Sequence, residues 1–350
     1  MGPNHAVTLT LLPAMPRNPV FRCPIEIWDV IFALACDHSG KIAAAICGVS
    51  RYFYEIVKPH RLKSLVVYGE SRIVAFHKAM KIIPPDVPRA EHLFIALIPD
   101  SFATETDNFC GEFIDGWAHH RGETEDQRNH RISRNSNLSS FGWHPTEYTS
   151  LQEDVVRGVI SHHRETLRTL TYLTRVSHIN FEMFGFLPKL EDLTLVCLRY
   201  KSTFYAVHRG KPVCQTHQFH SLKRLHVSYF DTEPLFRHDE FRRIAPEITH
   251  LRISGRECYP QYDKLPPHTK VFIQMILMSS QEQGMQISHM RDIFSTKSDE
   301  ERTVLLEPGH REEGRYGFFD ALLDWLDVSA GRNAFWESEN MVTIDQLAAR

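Results

Sequence analysis

The chain has 350 residues, 42% apolar and 24% charged, with 43 acidic against 40 basic side chains and a formal net charge of −3. That apolar content supports a large buried core, divided between one small and one larger unit, and the charge balance argues against a general nucleic-acid binder, which would carry a basic excess. The seven cysteines (23, 36, 47, 110, 197, 214 and 258) are odd in number, scattered and without a CxxC pair, which fits reduced thiols in the cytoplasm or nucleus better than a disulfide framework. Residues 1–20 are expected to form a flexible leader. The apolar run from Ala6 to Pro13 has no Lys or Arg before it and is broken by Pro13, so it is a poor signal peptide. No run of about eighteen apolar residues occurs anywhere, so no membrane-spanning helix and no membrane partner are expected.

Residues 21–60 read as three short helices. Pro24 suits a first helical turn because it lacks an amide hydrogen and has a fixed φ, and Glu26 follows where a negative charge favours the helix dipole. Ile27, Ile31 and Leu34 recur at helical spacing, with Trp28 and Phe32 widening the stripe. Asp37, His38, Ser39 and Gly40 end this helix in a turn-rich tetrapeptide. A second helical run, Ile42 to Cys47, passes through Gly48 into Val49-Ser50-Arg51-Tyr52-Phe53, and Pro59 closes the third helix. The apolar side chains point to more faces than about forty residues can bury, and a unit this small ordinarily needs a disulfide, a metal or a partner. A partner is the natural inference.

Two blocks carry a specific resemblance: Pro24-Ile25-Glu26-Ile27-Trp28 with Ile31-Phe32, and, some twenty residues on, Val49-Ser50-Arg51-Tyr52-Phe53. Together they resemble an F-box of the divergent fungal type. Cys23 departs from the pattern, because F-boxes usually carry Leu before that Pro, and the change removes one apolar contact. The resemblance implies a small all-α domain that docks onto a Skp-type adaptor and through it a cullin. Carried over by motif position, the adaptor contacts would be Pro24, Ile25, Ile27, Ile31 and Phe32 from the first block, and Val49, Ser50 and Phe53 from the second. The apolar members would anchor the interface, while Pro24 and Ser50 would supply shape and capping.

From residue 61 to about 335 the chain returns to one pattern, in which apolar residues at two successive three-residue steps lead into a strand-like apolar-x-apolar ending. It is clearest at Leu187, Leu190, Leu193 and Leu195; at Phe219, Leu222, Leu225 and Val227; and at Ala245, Ile248, Leu251 and Ile253. Weaker copies are Val87, Ala90, Leu93 and Ile95, then Leu167, Leu170 and Tyr172, with Leu62, Leu65 and Val67 as a candidate first one. The pattern resembles the leucine-rich-repeat signature. Helical stripes at 71–83 and 151–163, with a short candidate at 236–244, alternate with these strands. The expected architecture is therefore α/β overall, with an irregular leucine-rich-repeat-like α/β solenoid following the helical module. Irregular repeats still stack, because each strand needs only its neighbours to bury its apolar face. Residues 119–142 are almost free of large apolar side chains and are expected to form a mobile loop. Further strands are expected around Val271, Ile273 and Met275, and at Val304 to Leu306. An amphipathic helix at 316–328 is expected to cap the solenoid, and 337–350 to form a flexible tail.

No motif proposes bond-making chemistry. There is no Gly-x-Ser-x-Gly elbow, no activated-thiol signature, and no P-loop or dinucleotide-binding glycine pattern. The 21 histidines include Cys214-x-x-His217-x-x-His220, three possible ligands with no second pair to complete a tetrahedral zinc site. His162 and His163 sit where a helix C-terminus favours positive charge. No metal, cofactor or catalytic residue is expected. As the F-box resemblance implies, the chain would be the substrate-receptor subunit of an SCF ubiquitin ligase, its repeat domain holding an unidentified protein substrate. Two other functions stay open: an interaction scaffold whose helical module packs only on its own repeat domain, and an enzyme or metal protein using the histidine-rich loops.

Overall fold

The computed structural model describes residues 23–36, 40–83, 89–100, 103, 150–174, 178–197, 203–205, 219–229, 244–255, 265–275, 288, 303–306, 318–332, 336, 342–343 and 346. The leader expected over 1–20, the loop over 119–142, the Cys214 and His217 pair and nearly all of 337–350 lie outside these residues.

The chain starts with three helices, α1 (Ile25–Cys36), α2 (Gly40–Cys47) and α3 (Arg51–Val57). It then alternates strands and helices: β1 (Ser64–Tyr68), α4 (Glu70–Met80), β2 (His92–Ala96), α5 (Ser150–His163) and β3 (Thr169–Thr174). After β4 (His178–Asn180) and a 3-10 turn at Phe181–Phe184 come β5 (Asp192–Cys197), β6 (Thr203–Tyr205), β7 (Arg224–Tyr229), β8 (His250–Gly255), β9 (Lys270–Met275) and β10 (Thr303–Leu306). Helix α6 (Phe318–Ser329) follows. The fold is α/β.

Eight strands form one sheet in the order β1-β2-β3-β5-β7-β8-β9-β10, while β4 and β6 pair separately. Every pair in the large sheet is parallel. Parallel neighbours need a crossover connection, and here each crossover adds its strand on the same side as the last. A doubly wound sheet reverses at a switch point and opens a ligand crevice there; this order contains no such reversal.

The recurrent apolar positions of the sequence become two continuous rows. Leu65, Leu93, Leu170, Leu193, Leu225, Leu251 and Val271 stand side by side across neighbouring strands. Two residues on, Val67, Ile95, Tyr172, Leu195, Val227, Ile253, Ile273 and Leu305 form the second row. Side chains alternate faces along a strand, so both rows point to one side, where they join α4, α5 and the Phe181–Phe184 turn in the principal core.

The four residues that lead into β5, β7 and β8 each form a single turn closed by a backbone bond from the fourth residue to the first. Leu190 N–H donates to the Leu187 carbonyl (3.4 Å), Leu222 to Phe219 (3.1 Å) and Ile248 to Ala245 (3.3 Å). The next two amides of each strand then share one carbonyl of the preceding strand. Glu191 and Asp192 donate to Arg168, Lys223 and Arg224 to Glu191, and Thr249 and His250 to Lys223, at 2.8–3.0 Å. The shared carbonyl locks the register from strand to strand.

Close packing decides two further positions. A Cβ at Gly158 on α5 would lie 2.5 Å from His77 Nε2 on α4, so a larger residue there would displace the His77 ring. Gly69 adopts φ +91, a conformation that disfavours other residues, to turn β1 into α4. The helix it opens is capped from a distance, by Asp100 Oδ1 accepting the Ser71 N–H at 3.1 Å.

The second face of the sheet divides along its length. Over the first strands it is apolar, with Tyr68, Phe94, Ala96, Leu173 and Val196, and α6 covers it with Ala321, Leu322, Leu323, Trp325 and Leu326. Trp325 meets the Phe94 ring edge-on, at 6.0 Å between centroids. The amphipathic helix expected at 316–328 is thus present as α6. Rather than closing the far end of the sheet, it makes its main contacts with β2 and β3. The physical reason is that β1, β2, β3 and β5 leave an apolar patch on the second face, which this helix buries. Among the described residues, no helix is long and apolar enough to cross a membrane.

Candidate functional site

The three-helix module is built around a small aromatic centre. Trp28 and Phe32 of α1 stack at 5.4 Å, and Phe53 of α3 meets both, at 5.0 and 5.1 Å. Aromatic pairs at such separations add roughly 0.5–1.5 kcal/mol each beyond burial. Phe32, Cys36, Ala43, Ile56 and Val57 complete the core. Ser50 is the N-cap of α3, its hydroxyl oxygen accepting the Phe53 N–H at 3.2 Å. Pro24 begins α1, its carbonyl accepting the Ile27 and Trp28 amides at 3.1 and 3.3 Å.

α1 therefore has two apolar stripes. Trp28, Phe32 and Cys36 face inward. Ile27, Val30, Ile31 and Leu34, at the i, i+3, i+4, i+7 spacing of one helical face, face water. Together with Ile25, Ile42 and Val49 they remain 42–66% exposed. Among the described residues nine large apolar side chains are exposed, and these seven account for all but Ile82 and Phe186. Single exposed apolar residues need no explanation, whereas four of these recur at one helical spacing and form an outward stripe on α1.

Of the sequence-derived site residues, Pro24, Ile25, Ile27, Ile31, Val49 and Ser50 are exposed. Phe32 is only 5% exposed and Phe53 is half-buried beneath the surface the others form. Val30, Leu34 and Ile42 join that surface and are absent from the motif-derived set. The heptad-like spacing of Ile27, Val30, Ile31 and Leu34 is visible in the sequence; which stripe of α1 faces outward is not.

The sheet holds two other polar constellations. At the rim where β3, β5, β7 and β8 begin, an open cavity of about 450 Å³ is lined by Arg168, Pro188, Lys189, Glu191, His220, Ser221, Lys223, Glu247 and Thr249. Its charges largely cancel, with Lys223 Nζ 3.1 Å from Glu191 Oε2 and Arg168 Nε 3.9 Å from Glu91 Oε2. Exposed Phe186 stacks on His220 beside it, at 5.5 Å.

On the second face, His226 Nε2 lies 2.9 Å from Ser254 Oγ. That distance matches a nucleophile and its base, but the Ser254 hydroxyl is also within reach of Gln274. Ser254 Oγ lies 3.1 Å from Gln274 Oε1, and Arg252 Nη2 donates to the same oxygen at 2.6 Å. Burial first and Arg252 second push the His226 pKa well below its usual value, which fixes the neutral ring. Both side chains are fully enclosed. Asp324 of α6 reaches the far side of Arg252 at 4.0 Å, so this is a buried polar brace between sheet and helix.

His163 likewise departs from the helix-end role read from the sequence. It turns inward, and its Nδ1 accepts the Ala90 N–H at 3.0 Å. Burial, aided by His162 and Arg89, lowers its pKa to about 3. Among the described residues, no three His, Cys, Asp or Glu side chains are grouped to hold a metal ion. Comparisons with protein-family models, with curated proteins and with solved structures find nothing that matches this chain.

Proposed function

We propose that this chain is the substrate-receptor subunit of a cullin-based SCF ubiquitin ligase. In this reading residues 21–60 are an F-box that docks a Skp-type adaptor, and residues 61–335 are an irregular leucine-rich-repeat solenoid that holds a protein substrate. The observation that carries it is the outward apolar stripe of α1, extended by Ile42 and Val49, on the segment with the F-box resemblance. The chain-ordered parallel sheet with its leucine rows supports the solenoid part, since each strand buries its apolar face against its sequence neighbours. The subunit makes no bonds itself. It holds a substrate lysine near the charged ubiquitin carrier and raises its effective concentration.

On this reading Ile25, Ile27, Ile31 and Val49 touch the adaptor. Phe32 and Phe53 shape that surface from below, and Ser50 holds α3 in place. An interaction scaffold whose module packs only on its own sheet is the competing reading. The purified chain should retain a Skp-type adaptor through size exclusion, and Ile27→Asp with Ile31→Asp should abolish retention while leaving the helical circular dichroism intact. A folded wild-type chain that retains no adaptor overturns the ligase reading.

A further inference from the structure

Four backbone amides hold the segment 58–63 between α3 and β1. Lys58 N–H donates to the Tyr54 carbonyl (3.0 Å), His60 and Arg61 both donate to the Val57 carbonyl (2.9 and 3.1 Å), and Lys63 donates to His60 (3.1 Å). Its side chains reach in both directions. Leu62 packs on the principal core of the sheet, while Arg61 Nη1 donates to the Tyr54 hydroxyl of α3 at 3.4 Å.

The longest reach belongs to His60. Its Nε2 lies 2.8 Å from Asp29 Oδ1, 31 positions back in the chain. His60 is mostly covered and Asp29 is half exposed. Asp29 lies on α1 between Ile27 and Val30, so the contact ties the connector to the helix that carries the exposed stripe. A polar contact across 31 residues at the edge of a small module closes a long loop, and such a closure restricts the motion of both ends. A connector without these bonds would let the module swing on the sheet, since inter-domain motion is the default for small interfaces.

We propose that His60 is a positioning residue, which with Asp29 clamps the connector 58–63 into a rigid strut and fixes the bearing of the apolar α1 face on the parallel sheet. The consequence for function rests on the ligase reading: a receptor that works by proximity gains from a fixed distance between adaptor and substrate. The clamp itself does not depend on that reading.

Limited trypsin digestion of the full chain tests it, because the connector contains Lys58, Arg61 and Lys63 and α3 begins at Arg51. Cleavage of a transiently opened segment follows the population of the open form. Losing this hydrogen bond should raise cleavage after Arg61 and Lys63 about tenfold in His60→Ala, with cleavage after Arg51 unchanged. Asp29→Asn keeps an oxygen to accept the His60 Nε2–H and should stay near the wild-type rate, whereas Asp29→Ala should match His60→Ala. Unchanged cleavage in both alanine variants overturns the proposal. So does a parallel rise after Arg51, which would mean that the contact only holds the module's own fold together. Adaptor retention measured on the same proteins separates the two readings. Loss of wild-type retention retires the ligase reading and leaves the strut, while retention with unchanged cleavage does the reverse.

Discussion

The helical module and the sheet treat similar apolar residues in opposite ways. In the sheet, the leucine rows and the Tyr68–Phe94–Leu173 patch are closed on both sides, by α4 and α5 on one face and by α6 on the other. In the module five residues form the buried core, while seven Ile, Leu and Val side chains stay at the surface. Size explains the difference, because buried surface grows faster than chain length and three short helices cannot enclose all their faces. The sharpest way to break the comparison is to charge each kind of site. On the proposed ligase reading, Ile31→Asp with Leu34→Asp should leave the module's melting unchanged but reduce adaptor affinity at least about a hundredfold. Phe32→Asp should instead unfold the module, because a carboxylate would lie among Trp28, Phe53 and Ile56. If both variants melt the module, the outer stripe is part of its fold and the contrast fails.

Truncation sharpens the same contrast on the sheet. Leu170 is fully buried and stands in register between Leu93 and Leu193. Leu170→Ala should cost about 3 kcal/mol, the loss of transfer energy plus a cavity, as a lower midpoint in urea unfolding. Leu34→Ala removes the same atoms from a side chain that is 66% exposed and should change the midpoint by less than about 0.5 kcal/mol.

Much of the sheet was legible because its signal is periodic and redundant. Each Leu-x-x-Leu-x-Leu copy predicts the same turn and strand, and the structure aligns those copies residue against residue. The strands around Val271 and Val304 and the helices at 71–83 and 151–163 follow from the same alternation. The position of α6 was not legible, because an amphipathic helix declares that it covers something but not which surface. The inward turn of Phe32 was equally hidden. Motif position gives the order of residues along α1, while the division between its two stripes depends on where α3 packs. His163 shows a third limit: a histidine in the last turn of a helix reads as a favourable charge, but here burial keeps the ring neutral and its Nδ1 accepts the Ala90 N–H.

That neutral histidine gives the sheet a pH dependence. His163 has a folded pKa of about 3 against about 6.5 for an ordinary histidine. Between those values the unfolded chain binds more protons, so stability is complete above the ordinary value and falls as the pH drops through it. At pH 5 the loss from His163 should be on the order of 2 kcal/mol. His226, also depressed by burial, adds in the same direction. Urea midpoints at pH 7.5 and 5 measure the sum, and His163→Asn, which keeps an acceptor for Ala90 without the titration, should flatten the slope. A slope unchanged by that substitution would show that His163 is not held neutral in the folded chain.

The smallest effect lies where the module's surface and its fold meet. Ser50 precedes α3 with extended backbone (φ −162, ψ 158), and its side chain satisfies the Phe53 amide, one of the donors that a helix start leaves unpaired. α3 is only seven residues long, too short to be stable by propensity alone, so the cap and the Phe53 ring must hold it together. Ser50→Ala should lower the module's stability by about 1 kcal/mol. Ser50→Asp, another strong capping residue that also places a negative charge at the helix N-terminus, should restore it. If Ser50 acts only as a cap, adaptor affinity in Ser50→Asp should equal the wild type. An affinity loss in Ser50→Asp with stability intact would place the hydroxyl in the docking surface itself, beside Val49, and would extend that surface from α1 onto the start of α3.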